Sequence, residues 1–277
     1  MTMTWFITGT SSGLGRLLTE QLLARGDRVA ATLRRPEALD DLRATAEDRL
    51  WVHRLDVTDP HEARTVLDAA FADLGEIDVV VNNAGYALFA AIEEPSDEQI
   101  RRVIDTNLIG SINVIRAALP HLRAQGHGRI IQVSTAGGQT TYPNFAYYHA
   151  SKWGIEGFCE TVAQEIAPFG IELSIVEPGA TPTGFSAAKD TAPTMPEYDA
   201  SPAGDVRRAI SSGAFQFPND AARVAAAIID AATETPARLR IPLGVDTYRD
   251  VRAAYVRRLE EHDAQQARAA SVAADGG

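Results

Sequence analysis

Residues 8–15 read Thr8-Gly9-Thr10-Ser11-Ser12-Gly13-Leu14-Gly15 and connect the first apolar run of the chain to its first amphipathic segment. The run Trp5–Thr8 predicts a short strand, and Leu14–Ala24 predicts a helix that Gly26 ends. Glycines at a strand-to-helix turn let the backbone approach a pyrophosphate, and the helix N-terminus offers N–H groups and a partial positive charge. This position in the chain favours a nucleotide-binding turn over an ordinary glycine-rich connection.

Apolar runs and helix-length segments alternate through most of the remaining chain. Further strands are predicted at Val29–Leu33, Leu50–Leu55, Ile77–Asn82, Arg129–Ser134, Ile171–Glu177 and Arg238–Leu243. Further helices are predicted at Pro36–Ala46, Asp59–Leu74, Ser96–Gly126, Phe145–Ala167, Asp220–Thr233 and Thr247–Glu261. Strands that alternate with helices form βαβ units, whose right-handed crossovers build a parallel sheet covered on both faces. The sequence thus predicts an α/β fold, a single doubly wound Rossmann-type domain with a parallel seven-stranded sheet.

The regular pattern stops at Pro178. Residues 179–217 are rich in Ala, Thr, Pro and Ser, and such a segment after a strand is typical of a lid or substrate loop. We expect the domain to span residues 1–261 and the tail, 262–277, to be disordered.

The composition excludes several classes of protein. The 277 residues carry 26 basic and 37 acidic side chains, a net charge of −11, which disfavours nucleic acid and anionic membrane surfaces as partners. The single cysteine, Cys159, excludes an internal disulfide, and His121 and His127 lack the spacing of metal ligands, so we expect no metal. No apolar run approaches the roughly 18 residues of a membrane span, and no signal-peptide pattern opens the chain. We therefore expect a cytoplasmic protein.

Tyr148 and Lys152 stand four residues apart in a predicted helix, a spacing that places both side chains on one face. The pairing is notable because the chain has only two lysines. A nearby ammonium favours tyrosinate, so we expect Lys152 to lower the pKa of Tyr148 from its ordinary value of about 10. Such a tyrosine is able to donate or accept a proton near neutral pH. The alternative is a packed tyrosine beside an unrelated, solvated lysine.

These two motifs together resemble one enzyme family. The glycine spacing departs from G-x-G-x-x-G, and Gly9, Gly13 and Gly15 instead match the T-G-x-x-x-G-x-G of the short-chain dehydrogenase/reductase family. With the Tyr-x-x-x-Lys site, the resemblance covers the chain from about Thr4 to Leu243. The other matching positions are Asn82-Asn83-Ala84-Gly85, Asp56-Val57, Asn107 and Pro178-Gly179.

The resemblance implies a hydride transfer between a nicotinamide cofactor and a secondary alcohol or ketone. It implies that Tyr148 is the proton donor or acceptor at the substrate oxygen, that Lys152 holds the nicotinamide ribose and that Asn107 anchors a water of the proton relay. On residue type alone, Asn107 is also consistent with a solvated helix face. The implied cofactor-binding residues are Gly9, Thr10, Ser11, Ser12, Gly13, Leu14, Gly15, Arg34, Arg35, Asp56, Val57, Asn83, Ala84, Gly85, Tyr148, Lys152, Pro178, Gly179 and Thr181.

One position departs from the family pattern. The family places a serine thirteen residues before the catalytic tyrosine, and this chain has Thr135 there, next to Ser134. A threonine hydroxyl has the same donor and acceptor capacity and adds a methyl group. We assign the polarisation of the substrate oxygen to Thr135, with Ser134 as the alternative if the loop is shifted by one residue.

The end of the second predicted strand bears on the choice of cofactor. Sites for NAD place an acidic residue there for the ribose 2′-hydroxyl, and this chain has Leu33 at that place, followed by Arg34 and Arg35. An arginine suits a 2′-phosphate, which it grips in bidentate fashion. We therefore expect NADP(H) in preference to NAD(H), the alternative being a solvated arginine pair at a helix start.

The substrate pocket is expected from residues 86–91, 136–145 and 179–217. The aromatic residues there predict an apolar or aromatic substrate, although each is also consistent with the core: Phe89, Tyr142, Phe145, Phe185 and Phe215. The alternative functions are a non-catalytic NADP(H)-binding sensor or scaffold and an isomerase or lyase on the same fold. The resemblance also implies a homodimer or homotetramer built on the helices around 97–125 and 147–167.

Overall fold

Seven parallel strands form the central sheet of the protein, for which a computed structural model describes residues 2–183 and 190–274. The strands are β1 (Thr4–Thr8), β2 (Arg28–Leu33), β3 (Leu50–Arg54), β4 (Val79–Asn82), β6 (Gly128–Val133), β7 (Ile171–Pro178) and β9 (Arg240–Leu243). Their spatial order is β3-β2-β1-β4-β6-β7-β9. This confirms the predicted fold, because the order reverses at β1 as in a doubly wound sheet.

Helices cover both faces of the sheet. They are α1 (Gly13–Ala24), α2 (Asp40–Ala46), α3 (Pro60–Leu74), α4 (Asp97–Ile104), α5 (Gly110–Gln125), α6 (Ala146–Ile166), α7 (Pro202–Ser211), α8 (Ala221–Thr233), α9 (Val245–Asp263) and α10 (Gln266–Ala270). Neighbouring residues of β1 point to opposite faces, so Phe6 packs under α3, α5 and α6, whereas Trp5 and Ile7 pack under α1 and α8. No helix within residues 2–183 and 190–274 combines the length and the apolar character needed to cross a membrane.

The predicted long helix at Ser96–Gly126 contains an irregular turn. Ser96 and Gln99 form the capping box that opens α4, and Gly126 ends α5 in the left-handed conformation. Between α4 and α5 the residues Asp105–Ile109 form a single π-helical turn. Such turns bulge the helix and often occur at functional sites, and this one carries Asn107.

The described residues of segment 179–217 contain a strand and a helix that the sequence analysis did not predict. The strand is β8 (Asp190–Thr191), which pairs with β5 (Leu88–Phe89), and the helix is α7. The Ser201 side chain caps α7 and Pro202 takes its first position, a start signal that the weak periodicity of the segment obscured. Phe185, one of the predicted pocket residues, lies outside the described residues.

Contacts with Glu94 and Asn144 help to hold this segment against the rest of the domain. The fully buried carboxylate of Glu94 accepts hydrogen bonds from the backbone N–H of Ala91 at 2.7 Å and of Met195 at 2.8 Å, and it pairs with Arg207. Asn144 donates to the carbonyl of Ala203 at 2.9 Å. The segment is thus fixed along one side by groups that belong to the domain body.

The C-terminal part of the chain departs from expectation in one respect. Helix α9 continues through His262 to Asp263, and the predicted disordered tail contains the short exposed helix α10.

We predict that Glu94→Ala loosens residues 195–211. The substitution removes the anchor of the Met195 N–H and leaves Arg207, 15% exposed, without its partner, a change that costs about 3–5 kcal/mol in buried pairs. Hydrogen–deuterium exchange at 195–211 should rise strongly. Glu93→Ala is the matched control, because exposed Glu93 only accepts a hydrogen bond from the Tyr198 hydroxyl at 2.7 Å. Equal exchange in both variants would contradict the role of Glu94.

Candidate active site

The glycine turn forms a tight cradle at the carboxyl end of β1. Gly9 has a φ of +73°, and a Cβ built on it would lie 2.8 Å from the Cα of Ala84. A Cβ on Gly15 would lie 2.3 Å from the carbonyl oxygen of Gly9 and 2.6 Å from Asn83 Nδ2. Within the described residues, the Ser12 side chain caps none of the first N–H groups of α1. The turn therefore offers a helix N-terminus beside a backbone that only glycine allows to pack so closely.

Thr8 ties this turn to the end of β4. Its hydroxyl accepts hydrogen bonds from the backbone N–H groups of Asn83 and Ala84, both at 3.0 Å. In return, Asn83 Nδ2 donates to the carbonyls of Thr8 at 2.9 Å and Gly9 at 3.2 Å. The two matching motifs, far apart in sequence, thus form one structure at the point where the strand order reverses.

The ends of β2 and β3 form the outer wall of this region. Leu33 is buried, whereas Arg34 and Arg35 are exposed. The Asp56 carboxylate accepts from the Thr58 N–H at 3.0 Å and the Thr58 hydroxyl at 2.7 Å. The Val57 side chain packs against Gly110, where a Cβ would lie 2.6 Å from Val57 Cγ2.

Tyr86, the residue after Gly85, carries a partly buried phenol whose pKa is affected by nearby charges. Burial raises the pKa of the Tyr86 phenol, and the positive charges of Arg102 and Arg34 act against that rise.

Tyr148 and Lys152 lie on the buried face of α6, with exposed fractions of 7% and 5%. Lys152 Nζ donates to the Val133 carbonyl at 3.0 Å and lies 5.8 Å from the centre of the Tyr148 ring. The side chain of Thr135 forms a hydrogen bond with that of Tyr148. The predicted helix-face pair is therefore present, and Thr135 joins it.

The protonation of this pair differs from the expectation. Burial raises the pKa of Tyr148, and only the hydrogen bond with Thr135 acts against that rise. Burial also lowers the pKa of Lys152 to about 8. The prediction that Lys152 lowers the pKa of Tyr148 is thus wrong for this structure, because burial raises that pKa and the ammonium is directed at the Val133 carbonyl.

Asn107 is fully buried in the π-helical turn, which excludes the solvated helix face as its environment. Its Oδ1 accepts from the Tyr86 N–H at 3.0 Å, and its Nδ2 donates to the Tyr86 carbonyl at 2.8 Å and to the Ser151 hydroxyl at 3.1 Å. The Ser151 hydroxyl in turn donates to the Tyr148 carbonyl at 2.7 Å. Asn107 therefore joins the Asn82–Gly85 segment to the helix that carries Tyr148.

Thr135 and Ser134 point in different directions. The Ser134 hydroxyl donates to the buried carboxylate of Glu156, away from Tyr148. The Thr135 hydroxyl contacts Tyr148 and accepts from the Gly137 N–H at 3.4 Å. The geometry thus brings Thr135, of the two candidates, next to Tyr148.

The segment after β7 approaches the glycine turn from the other side. Asp246 accepts from the Ala180 N–H at 2.7 Å, and the Thr181 hydroxyl donates to the Gly179 carbonyl at 2.9 Å. A Cβ on Gly13 would lie 3.6 Å from Thr183 Cβ. Thr183 therefore brings the segment that contains the predicted residues Pro178, Gly179 and Thr181 next to the glycine turn, and the region between that segment and the turn is called the groove below.

Part of the predicted aromatic wall is next to Tyr148. Phe89 and Phe145 pack edge to face with ring centres 5.0 Å apart, and Phe145 lies 6.1 Å from Tyr148. Tyr142 packs beside the buried His149 instead, and burial lowers the pKa of that histidine to about 4. Phe215 pairs with Phe217 at the surface, where they are 42% and 43% exposed.

The histidines that the sequence analysis set aside have structural contacts. His121 stacks on Phe71 and bonds to Asp68 at 2.6 Å, and His127 lies 3.8 Å from Glu76. Across residues 2–183 and 190–274, no three His, Cys, Asp or Glu side chains are grouped to hold a metal.

The sequence analysis missed four residues that shape this site. Thr8 was quoted in the motif without a role. The available signal for Ser151 was its position three residues after Tyr148 in the same predicted helix. Glu156 and Asp246 carried no signal, because their partners are distant in sequence.

Comparisons with known proteins agree with this geometry. A family model described as short chain dehydrogenase matches residues 4–194 of the chain. A curated relative, "Oxidoreductase BOA17" of Botryotinia fuckeliana, is 35% identical over 247 residues, 89% of this chain and 90% of the relative.

Solved structures give the same result. A short-chain dehydrogenase from Streptomyces avermitilis has a TM-score of 0.90 at 34% identity, covering 99% of this chain and 100% of its own. The closed form of serine dehydrogenase complexed with NADP+ has a TM-score of 0.74 at 28% identity, covering 87% and 93%. A short chain dehydrogenase/reductase from Burkholderia phymatum in complex with NAD has a TM-score of 0.77 at 25% identity, covering 91% and 92%.

We predict that Thr135→Val lowers kcat about a hundredfold or more, the typical effect of removing one donor at a developing oxyanion. Thr135→Ser should retain most activity because it keeps the hydroxyl. Ser134→Ala should cost much less than Thr135→Val, since the Ser134 hydroxyl is directed at Glu156. Steady-state kinetics of the three variants decides this, and a larger loss in Ser134→Ala would reverse the assignment.

Proposed function

Because the chain belongs to the short-chain dehydrogenase family of NAD(P)-dependent oxidoreductases, we propose that it transfers a hydride between NADP(H) and a secondary alcohol or ketone. The observation that carries this proposal is the pair of hydroxyls formed by buried Tyr148 and half-buried Thr135, beside Lys152 and the phenylalanine wall. A carbonyl oxygen placed between the two hydroxyls would be polarised by one and receive a proton from the other.

The groove fits a dinucleotide cofactor by its shape. The turn from Gly9 to Gly15 is a cradle that Cβ atoms would fill, and it opens at the uncapped N-terminus of α1. These N–H groups would hold the pyrophosphate, and Lys152 the nicotinamide ribose. Asp56, Val57, the segment Asn83–Gly85 and the segment Pro178–Thr181 would line the remaining groove. Bound there, the cofactor supplies or accepts the hydride.

The protonation of Tyr148 supports the reducing direction. Because burial raises its pKa, the phenol holds its proton through the neutral range and is able to donate it to a substrate oxygen. Lys152, with a pKa lowered to about 8, is still mostly protonated at neutral pH and is suited to hold ribose hydroxyls. Asn107 would anchor the water through which Tyr148 regains its proton.

The contacts around Tyr148 support an apolar or aromatic ketone as the substrate. Phe145 lies between Phe89 and Tyr148, so an aromatic surface extends directly to the reacting hydroxyl. Edge-to-face and stacked contacts with such a wall favour flat, apolar substrates.

The end of β2 supports NADP(H) over NAD(H). Leu33 is buried and offers no acceptor to a ribose hydroxyl, whereas Arg34 is exposed beside it. Relatives of known structure hold either cofactor, so this choice rests on the chain's own residues.

The oligomeric state stays a proposal as well. We propose a homodimer or homotetramer through the two long helical segments, which expose Ile109 (42%) and Trp153 (40%). Light scattering of the purified chain tests it, and a monomer at micromolar concentration would reject it.

We predict that Tyr148→Phe abolishes ketone reduction, with a loss of at least about a hundredfold in kcat, while NADP(H) affinity changes little. The ring keeps its packing, and only the hydroxyl is lost. The test follows absorbance of the reduced cofactor across a panel of ketones, with cofactor affinity measured by fluorescence. Tyr147→Phe is the matched control, because that hydroxyl bonds to the Ile92 carbonyl at 2.8 Å.

Other outcomes separate the alternatives. Tight NADPH binding without turnover of any ketone would favour the sensor or scaffold. Product formation without net cofactor consumption would favour an isomerase or lyase.

We predict that Leu33→Asp combined with Arg34→Ala shifts preference from NADPH towards NADH. The change introduces an acceptor for the ribose hydroxyl and removes the phosphate partner, each worth about one to two powers of ten in affinity. The measurement is the ratio of kcat/KM for the two cofactors. Arg43→Ala, which removes an exposed arginine bonded to Asp40, is the control for charge alone. A wild type that already prefers NADH would refute the cofactor proposal and leave the dehydrogenase function intact.

A further inference from the structure

A buried network of charges lies directly behind the turn that carries Thr135. Its centre is the carboxylate of Glu156, which is 1% exposed and stands one helical turn after Lys152 on α6. The Ser134 hydroxyl and Gln139 Nε2 both donate to this carboxylate. Since Ser134 precedes the turn 135–138 and Gln139 follows it, one side chain holds both ends of the turn.

We propose that Glu156 is a positioning residue for the reduction, which fixes the turn carrying Thr135 against the helix that carries Tyr148 and Lys152. Glu156 touches neither substrate nor cofactor in this arrangement and acts through the residues that do. The inference rests on the proposed function, since it assigns Glu156 to the geometry of that reaction.

The backbone of the turn is built for this contact. A Cβ on Gly138 would lie 1.7 Å from Glu156 Oε1 and 2.7 Å from the Ser134 hydroxyl. The carboxylate therefore occupies the space that any side chain at position 138 would fill. The turn and the helix meet at van der Waals distance only because residue 138 is glycine.

Arg240 on β9 compensates the buried charge. Its guanidinium pairs with Glu156, with Glu177 at 2.9 Å and with Glu160 at 2.8 Å. Three carboxylates thus share one cation, and burial together with the charge of Glu156 raises the pKa of Glu177 to about 7. The titratable and charged groups that face Glu156 are Lys152, Cys159 and Glu160 on α6, Tyr148 one turn further back, Glu177 on β7, Arg240 on β9 and Tyr255 on α9.

The charge of Glu156 also acts on both reacting groups. It raises the pKa of Lys152 against the effect of burial, and it adds to the rise in the pKa of Tyr148. Loss of this charge lowers both pKa values, so both groups would lose their protons at lower pH. A merely structural residue would not produce this effect.

The test begins with a readout that needs neither substrate nor cofactor. The chain has two lysines, Lys152 and Lys189, so the protein labelled with ε-13C lysine gives two titrating signals, which Lys189→Arg assigns. We expect Lys152 to titrate near pH 8 in the wild type. In Glu156→Gln we expect a midpoint lower by about one pH unit, because the variant removes a negative charge that favours the protonated amine. Glu160→Gln, which removes a half-exposed carboxylate one turn further along α6, should leave the midpoint within about 0.3 units.

The kinetic arm measures ketone reduction. Glu156→Gln should lower kcat about tenfold and move the alkaline limb of the pH profile to lower pH. Ser134→Ala should give a smaller loss of kcat without moving the limb, because it removes one tie and no charge. Glu160→Gln should match the wild type. Thermal unfolding by circular dichroism confirms that each variant is folded, and if Glu156→Gln does not fold, Ser134→Ala and Gln139→Ala must both lower kcat for the proposal to stand.

The outcomes are distinct. A wild type that reduces no ketone with either cofactor rejects the proposed function, and the lysine titration still reports on Glu156. A folded Glu156→Gln with unchanged kcat and an unchanged Lys152 midpoint overturns the role of Glu156. A loss of kcat with no shift in either the midpoint or the pH limb overturns it as well, because it leaves Glu156 a purely structural residue.

Discussion

Three polar side chains are buried on one face of α6, and the structure of the site depends on the need of each for a hydrogen-bond partner or a counter-ion. Tyr148, Lys152 and Glu156 follow one another at four-residue spacing, and each is at most 7% exposed. A buried polar group without a partner costs about 1–3 kcal/mol, and a buried charge costs more. Apart from Arg240, which pairs with Glu156, their partners come from the carboxyl end of β6 and the turn that follows: the hydroxyl of Thr135, the carbonyl of Val133 and the side chains of Ser134 and Gln139. The hydrogen bonds that these buried side chains of α6 require therefore constrain the conformation of the turn after β6.

The same burial determines the acid–base character of the site. Removal from water disfavours charge of either sign, so it raises the pKa of Tyr148 and lowers that of Lys152. The negative charge of Glu156 favours the protonated form of both groups. It therefore opposes the effect of burial on the pKa of Lys152 and adds to the effect of burial on the pKa of Tyr148. The result is a phenol that holds its proton beside an amine that is mostly charged at neutral pH. That combination suits the donation of a proton to a substrate oxygen.

Features of the fold and site that depend on local sequence were predictable. All seven strands of the main sheet were predicted to within two residues at each end, because each buried strand is a short apolar run that can be recognised in the sequence itself. The glycine turn and the Tyr148–Lys152 pair are also local patterns. In contrast, the tie between Ser134 and Glu156 joins residues 22 positions apart, and Arg240 enters from a strand 84 positions beyond Glu156. The direction of the Tyr148 pKa shift was predicted wrongly for the same reason. The four-residue spacing shows that Lys152 is near, whereas desolvation depends on residues from distant parts of the sequence that pack around the two side chains.

The segment that follows β7 is held by different contacts from those that hold the turn carrying Thr135. Glu94 accepts from the backbone N–H of Met195, and Asp246 accepts from the backbone N–H of Ala180. Both anchors bind backbone groups of the segment that follows β7, and Glu94 also pairs with the Arg207 side chain of that segment. These anchors do not involve Phe215 and Phe217, which pack against each other at the surface, whereas a change at Ser134, Gly138 or Glu156 disturbs the contacts that hold Thr135 beside Tyr148. In the proposed function, substrate choice and chemistry would thus depend on different sets of contacts, which meet at the phenylalanine wall beside Tyr148.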